Sequence, residues 1–106
     1  MMSGGDSSGV CVVGKHFSQY QDAISCKEEL ENKNQKPYHV SSNRVVKGYV
    51  TACRINVVYG GETEKNYDFA KQCAVSLTIL TGTKHEARFP RNGVFVGTYT
   101  VVRLKQ

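Results

Sequence analysis

Four cysteines in a chain of 106 residues constrain this fold more than any other feature. So short a chain buries only a modest core, and cross-links are the usual supplement. Cys11, Cys26, Cys53 and Cys73 are even in number and suit up to two disulfides. Four cysteines admit three pairings, and the spacings of 15, 27 and 20 residues leave all three open. The alternative is that some remain free thiols, buried as small apolar side chains. No Cys-x-x-Cys pair occurs, so a zinc site is not expected, and no motif asks for a cofactor. Disulfides persist in oxidising compartments, so the four cysteines suit a secreted protein.

The length fits one domain, expected over residues 10–106 behind a flexible lead at 1–9, and argues against a second independent core. Small polar residues fill Met1–Ser8, and no charged start with an apolar stretch follows, so no signal peptide is read here. A leader removed earlier would leave the secreted reading intact. No run of 18 apolar residues exists, so no membrane partner is expected. The net charge of +5 favours anionic partners. The charge is uneven. From Lys84 onward, five basic residues (Lys84, Arg88, Arg91, Arg103, Lys105) face one acid, Glu86, whereas Ser18–Lys33 is mildly acidic.

The periodicity predicts one helix. Ser18 and Gln21 have capping-box spacing, and Asp22 suits the first turn. Tyr20, Ala23, Ile24, Cys26 and Leu30 recur at helical spacing and form one apolar stripe, which Pro37 stops. Strands are expected elsewhere. Val10–Val13 suits a short edge strand. Arg44–Tyr59 places Val45, Tyr49, Cys53, Ile55 and Val57 on one face, with Gly48 as a bulge. Tyr67–Leu80 reads as another strand through Cys73, Val75, Leu77 and Ile79. Ala87–Phe89, the turn Pro90–Gly93 and Val94–Leu104 read as a closing hairpin. The expected architecture is α+β: one α-helix packed on an antiparallel β-sheet.

Phosphate-binding glycine loops, metalloprotease motifs and nucleophile elbows are absent from the sequence. His16, His39 and His85 stand among polar residues, and two histidines brought together could cleave RNA by acid/base chemistry. Arg88, Arg91 and Arg103 interleave with Phe89, Phe95 and Tyr99. Cations beside ring faces are what single-stranded nucleic acid binding uses, although strand aromatics also pack cores.

Cys11–Ser18, the helix behind it and Pro37–His39 together resemble the N-terminal half of the small fungal guanyl-specific ribonucleases. Phe89–Thr100 resembles that family's final hairpin. The resemblance implies a microbial ribonuclease-like fold and places the family's first-strand histidine on His39. It puts the general base near Ser76, the phosphate-steadying arginine on Glu86 with Arg88 two residues on, and the general acid on Val101. Base and acid are both missing, so the resemblance implies a pseudoenzyme. Degenerate domains of this kind are secreted effectors of powdery mildew fungi. By that likeness the chain would reach host cytoplasm as a monomer and bind a host protein or RNA. A plant immune receptor could recognise it. The contact residues implied are His39, Tyr38, Arg88, Arg91 and Tyr99.

A second resemblance competes with the first. Arg44–Gly48 after a helix is similar to the Gln-Val-Val-x-Gly segment of cystatins, which implies a hairpin tip wedged into a cysteine protease. An active ribonuclease using His39 and His85 is a third reading. A ribonuclease-like fold would place His39, Arg88 and Tyr99 on one sheet face, and a cystatin would expose 44–48 at a tip.

Overall fold

The computed structural model describes residues 11–105, so the expected lead at 1–9 lies outside the described residues. It is α+β, with two helices and two small antiparallel sheets. The chain divides into two compact units, Met1–Tyr49 and Val50–Gln106. Buried apolar residues form two clusters, one per unit, where length alone pointed to one core.

The first unit contains α1 (Tyr20–Asn34), β1 (Tyr38–Ser41) and β2 (Arg44–Lys47). Ala23, Cys26 and Leu30 are buried at helical spacing, with Tyr20 and Ile24 packed against them, as the apolar stripe predicted. The start differs from expectation. Gln19 occupies the N-cap without a side-chain hydrogen bond, so Ser18 and Gln21 form no capping box. Gln35 ends the helix in a left-handed conformation, and its N–H donates to the Glu31 carbonyl at 2.8 Å. β1 and β2 form a hairpin whose turn residues, Ser42 and Asn43, both have positive φ (52° and 58°). Two left-handed turn residues match the twist of the flanking strands. Cys11–Val13 forms no strand, and only a single bridge, His16 to Arg44, extends the pairing. Cys11 is bonded to Cys26, which ties the segment before α1 to the helix's buried face.

In the second unit the order is β3 (Val58–Gly60), α2 (Glu64–Thr81), β4 (His85–Arg88) and β5 (Thr98–Arg103). The strands lie in the order β3-β5-β4, all antiparallel, and α2 packs against them. The largest correction to the sequence reading is here: Tyr67–Leu80 is helical, not a strand. Alternation at Cys73, Val75, Leu77 and Ile79 mimicked a strand, yet Val75 and Ile79 are exposed. The buried set is Ala70, Cys73, Ala74 and Leu77, joined by Ser76, which is helical spacing. Thr63 accepts the Asn66 N–H at 3.1 Å as N-cap, and Gly82 (φ 77°) closes the C-terminus. One helix on one sheet therefore becomes a helix with a sheet in each unit.

Two further expectations shift. Arg44–Tyr59 is not one strand, because Gly48 (φ 99°) ends β2 and regular pairing resumes only at Val58. The closing strand starts at Thr98 rather than Val94; β4 and β5 pair as foreseen, but across residues 89–97. Cys53, in the stretch between β2 and β3, is bonded to the buried Cys73 of α2. No helix of the described residues is long and apolar enough to cross a membrane.

Closing a loop of about 15–20 residues removes on the order of 3 kcal/mol of unfolded-state entropy. The double substitution Cys53→Ala, Cys73→Ala should therefore lower stability by about 2–4 kcal/mol, read as a lower denaturant midpoint. An unchanged midpoint would show that this cross-link contributes nothing.

Candidate functional site

The candidate residues divide between the units. His39 and Tyr38 lie on β1, in the two-stranded sheet; Arg88 and Tyr99 lie on β4 and β5, in the three-stranded sheet. The expected common face is therefore absent, since the two sets stand on separate sheets. Even within the second sheet Arg88 and Tyr99 part company. Arg88 pairs with Thr100, so Tyr99, one residue earlier, points to the opposite face.

Tyr38 is buried in the first core, and its hydroxyl accepts from Asn34 Nδ2 at 2.8 Å. His39 is half-buried, its Nδ1–H donating to the Gly48 carbonyl at 2.8 Å. Residues 44–48 are a return strand, not a tip: the turn is Ser42–Asn43, and Val45 is 0% exposed in the core. The segment 44–48 therefore does not form the hairpin tip that the cystatin comparison implied.

In the second unit, Tyr99 is the hub of an aromatic row. Its ring centroid lies 4.8 Å from Phe89 and 5.6 Å from Tyr67. Arg91 extends the row, its guanidinium carbon 5.1 Å from the Phe89 centroid, while both terminal nitrogens reach the Glu62 carboxylate at 3.2 and 3.3 Å. Lys71 stands over the Tyr67 ring at 5.8 Å. Arg88 is paired with Glu86 at 2.6 Å across an exposed surface. Tyr67 and Arg91 are exposed, so the row ends in accessible groups although Tyr99 itself is buried. The second unit carries eight basic residues against four acids, nearly all of the net charge. Loop residues Val94, Phe95 and Val96 stand out beside this surface, Val94 at 92% exposure.

Ser76 and Val101, which the ribonuclease resemblance marked for the base and the acid, have structural roles, and so does His85 of the active-ribonuclease reading. Ser76 lies on α2, buried, and its hydroxyl accepts the Val50 N–H at 3.0 Å. Val101 is fully buried in the second core. His85 is 4% exposed, with Nδ1 2.6 Å from the Thr83 carbonyl. Its own backbone N–H donates to the Thr78 hydroxyl at 2.9 Å. A cleft of about 350 Å³ between α2 and β4 was not foreseen from sequence, because reading Tyr67–Leu80 as a strand removed the helix that forms its wall. Among the described residues no group of three or more His, Cys, Asp or Glu is placed to hold a metal.

No protein-family model, curated protein or solved structure matches the chain.

Burial pushes the Tyr99 phenol above its ordinary value of 10.0; the Glu62 carboxylate adds to this, and Arg91 works against it. With a raised folded value, the stability tied to the neutral phenol is complete below pH 10 and is lost as pH rises through the folded value. In a titration followed by phenolate absorbance, one tyrosine should ionise late, and Tyr99→Phe should remove that component. Ser76→Ala should cost about 1–3 kcal/mol, the penalty for a buried N–H left without an acceptor; a thermal midpoint equal to wild type would refute the role of this hydroxyl.

Proposed function

We propose that this chain is a secreted binding protein of the effector type, not an enzyme, and that it engages single-stranded RNA through the basic and aromatic surface of its second unit. The observation that carries the reading is the row Arg91–Phe89–Tyr99–Tyr67–Lys71, in which cations flank tilted rings in mutual contact. Phosphates would meet Arg91 and Lys71, and a base would stack on the exposed Tyr67 ring. The two disulfides are compatible with secretion. The non-catalytic reading is supported by Ser76, whose hydroxyl is occupied by Val50, and by Val101 in the core. The ribonuclease-like scaffold remains part of the proposal on sequence likeness alone, since Ser76 stands on a helix where that family has a strand.

A second reading, contact with a host protein or immune receptor, is favoured by the exposed Val94, Phe95 and Val96. Exposed contiguous apolar side chains are commoner at protein interfaces than on bare surfaces.

Fluorescence anisotropy with a labelled oligouridine tests the first reading. Binding should be weak and should fall steeply with salt, because each phosphate contact releases a counterion. Removing Lys71 and Arg91 together (both to Gln) should weaken binding at least tenfold and reduce the logarithmic salt slope by about 1.4, roughly 0.7 for each contact on a single strand. The oligonucleotide should remain intact. Retention that ignores salt, or cleavage that disappears in His39→Ala, would overturn the proposal.

A further inference from the structure

β4 is the outermost strand of its sheet, with β5 on one side only. The Leu104 N–H donates to the Lys84 carbonyl at 2.9 Å. By the alternation of an antiparallel ladder, Glu86 and Arg88 also turn their backbone groups to β5, while His85 and Ala87 turn theirs outward. The His85 N–H has this direction: it leaves the sheet and donates to the Thr78 hydroxyl of α2 at 2.9 Å. The Ala87 N–H and carbonyl point the same way and meet no further strand. An edge of this kind is a template for an added strand.

The helix turns the edge into a groove. The cleft of about 350 Å³ lies between α2 and β4. On its α2 wall, Val75 and Ile79 stand four residues apart on one helix face, 47% and 50% exposed. The Thr78–His85 hydrogen bond joins the two walls and closes one end. Lys84 lines the cleft at that end, exposed and in no ion pair with a described residue.

We infer that this groove binds the C-terminal end of an extended peptide, added as a strand antiparallel to β4, with an apolar side chain at its penultimate position. The polarity follows from the geometry. β4 runs from the closed end of the groove toward the open one, so an antiparallel partner runs inward and brings its terminal carboxylate to the Lys84 ammonium. The Ala87 N–H and carbonyl would exchange two hydrogen bonds with the penultimate residue. A residue directly opposite Ala87 shares its face, which is the α2 side, so its side chain would cover Val75 and Ile79. The groove's contacts are Lys84, Val75, Ile79 and the Ala87 backbone, none of them in the row assigned to RNA, and binding is measured with no RNA present.

The experiment is an NMR titration of the intact, amide-labelled protein with peptides of the form Gly-Ser-Gly-Ser-Xaa-Ser, where Xaa is Leu, Ile, Val or Phe. Each is used with a free C-terminal carboxylate and as the C-terminal amide. The Ala87 amide signal should shift saturably with at least one of the acids, and the amide form of that peptide should bind several-fold more weakly. Lys84→Gln should abolish the difference between acid and amide. Val75→Ser and Ile79→Ser, both at exposed positions, should each weaken binding several-fold. Arg91→Gln, which removes an RNA contact, should leave peptide binding unchanged. No saturable shift at Ala87 with any of the acids would overturn the inference, as would equal binding of acid and amide by the wild-type protein. A shift of the Ala87 amide with protein concentration alone would assign the edge to a second copy of the chain and overturn it as well.

Discussion

Each unit depends on one local cross-link placed on the buried face of a helix. Cys26 sits between Ala23 and Leu30 on α1, and Cys73 between Ala70 and Leu77 on α2. Their partners, Cys11 and Cys53, come from irregular segments before each helix. Such segments have few backbone hydrogen bonds of their own, and a bond to a helix core position restrains them at little cost in chain entropy within the folded state. Small cores commonly need this support. Each cluster here has seven buried apolar residues, several of them alanine or cysteine, and a core of that size is marginal alone. Pairing each cysteine with its neighbour in sequence also confines each cross-link to its own unit.

In the second unit the consequence is a sheet with two different faces. Along β5, Tyr99 and Val101 enter the core under α2, while Thr100 and Val102 point the other way. Along β4, His85 and Ala87 share the α2 side, and Glu86 and Arg88 share the opposite side. The alternation assigns the ion pair Arg88–Glu86 to one face and the buried imidazole to the other. One strand thereby serves two surfaces without either compromising the core.

How much of this was legible in the sequence varies with the physics of each element. α1 was readable because its apolar stripe, Tyr20 to Leu30, has one period and a clear stop at Pro37. α2 was not, because in Ala74 to Leu80 the polar Ser76 and Thr78 alternate with apolar residues, so the segment satisfies both a two-residue and a 3.6-residue period. Local signals would have decided it: Thr63 three residues before Asn66, Ala70 and Ala74 as helix formers, and Gly82 as the stop. The β1–β2 hairpin was missed for another reason. Its turn is Ser42–Asn43, and only the second residue has a marked tolerance for positive φ. For the site, Arg88 and Arg91 were legible as exposed cations because charge requires water. Tyr38 and Tyr99 were not separable from contact residues, since an aromatic on a strand serves a core and a surface equally well in sequence.

The same ambiguity explains why the burial of His85 was not legible. Among Lys84, Glu86 and Arg88 it reads as one more polar group on a wet strand, and its burial follows only from the helix that covers it. A buried imidazole usually has both nitrogens bonded, and here the chain supplies a partner for Nδ1 alone. A lysine directly before it and a second lysine across the cleft keep the local potential positive. The basic C-terminal half, which composition assigned to a diffuse attraction for polyanions, thus divides between a pair on one face of β4, Arg88 with Glu86, and a cation, Arg91, joined to the aromatic row through Phe89.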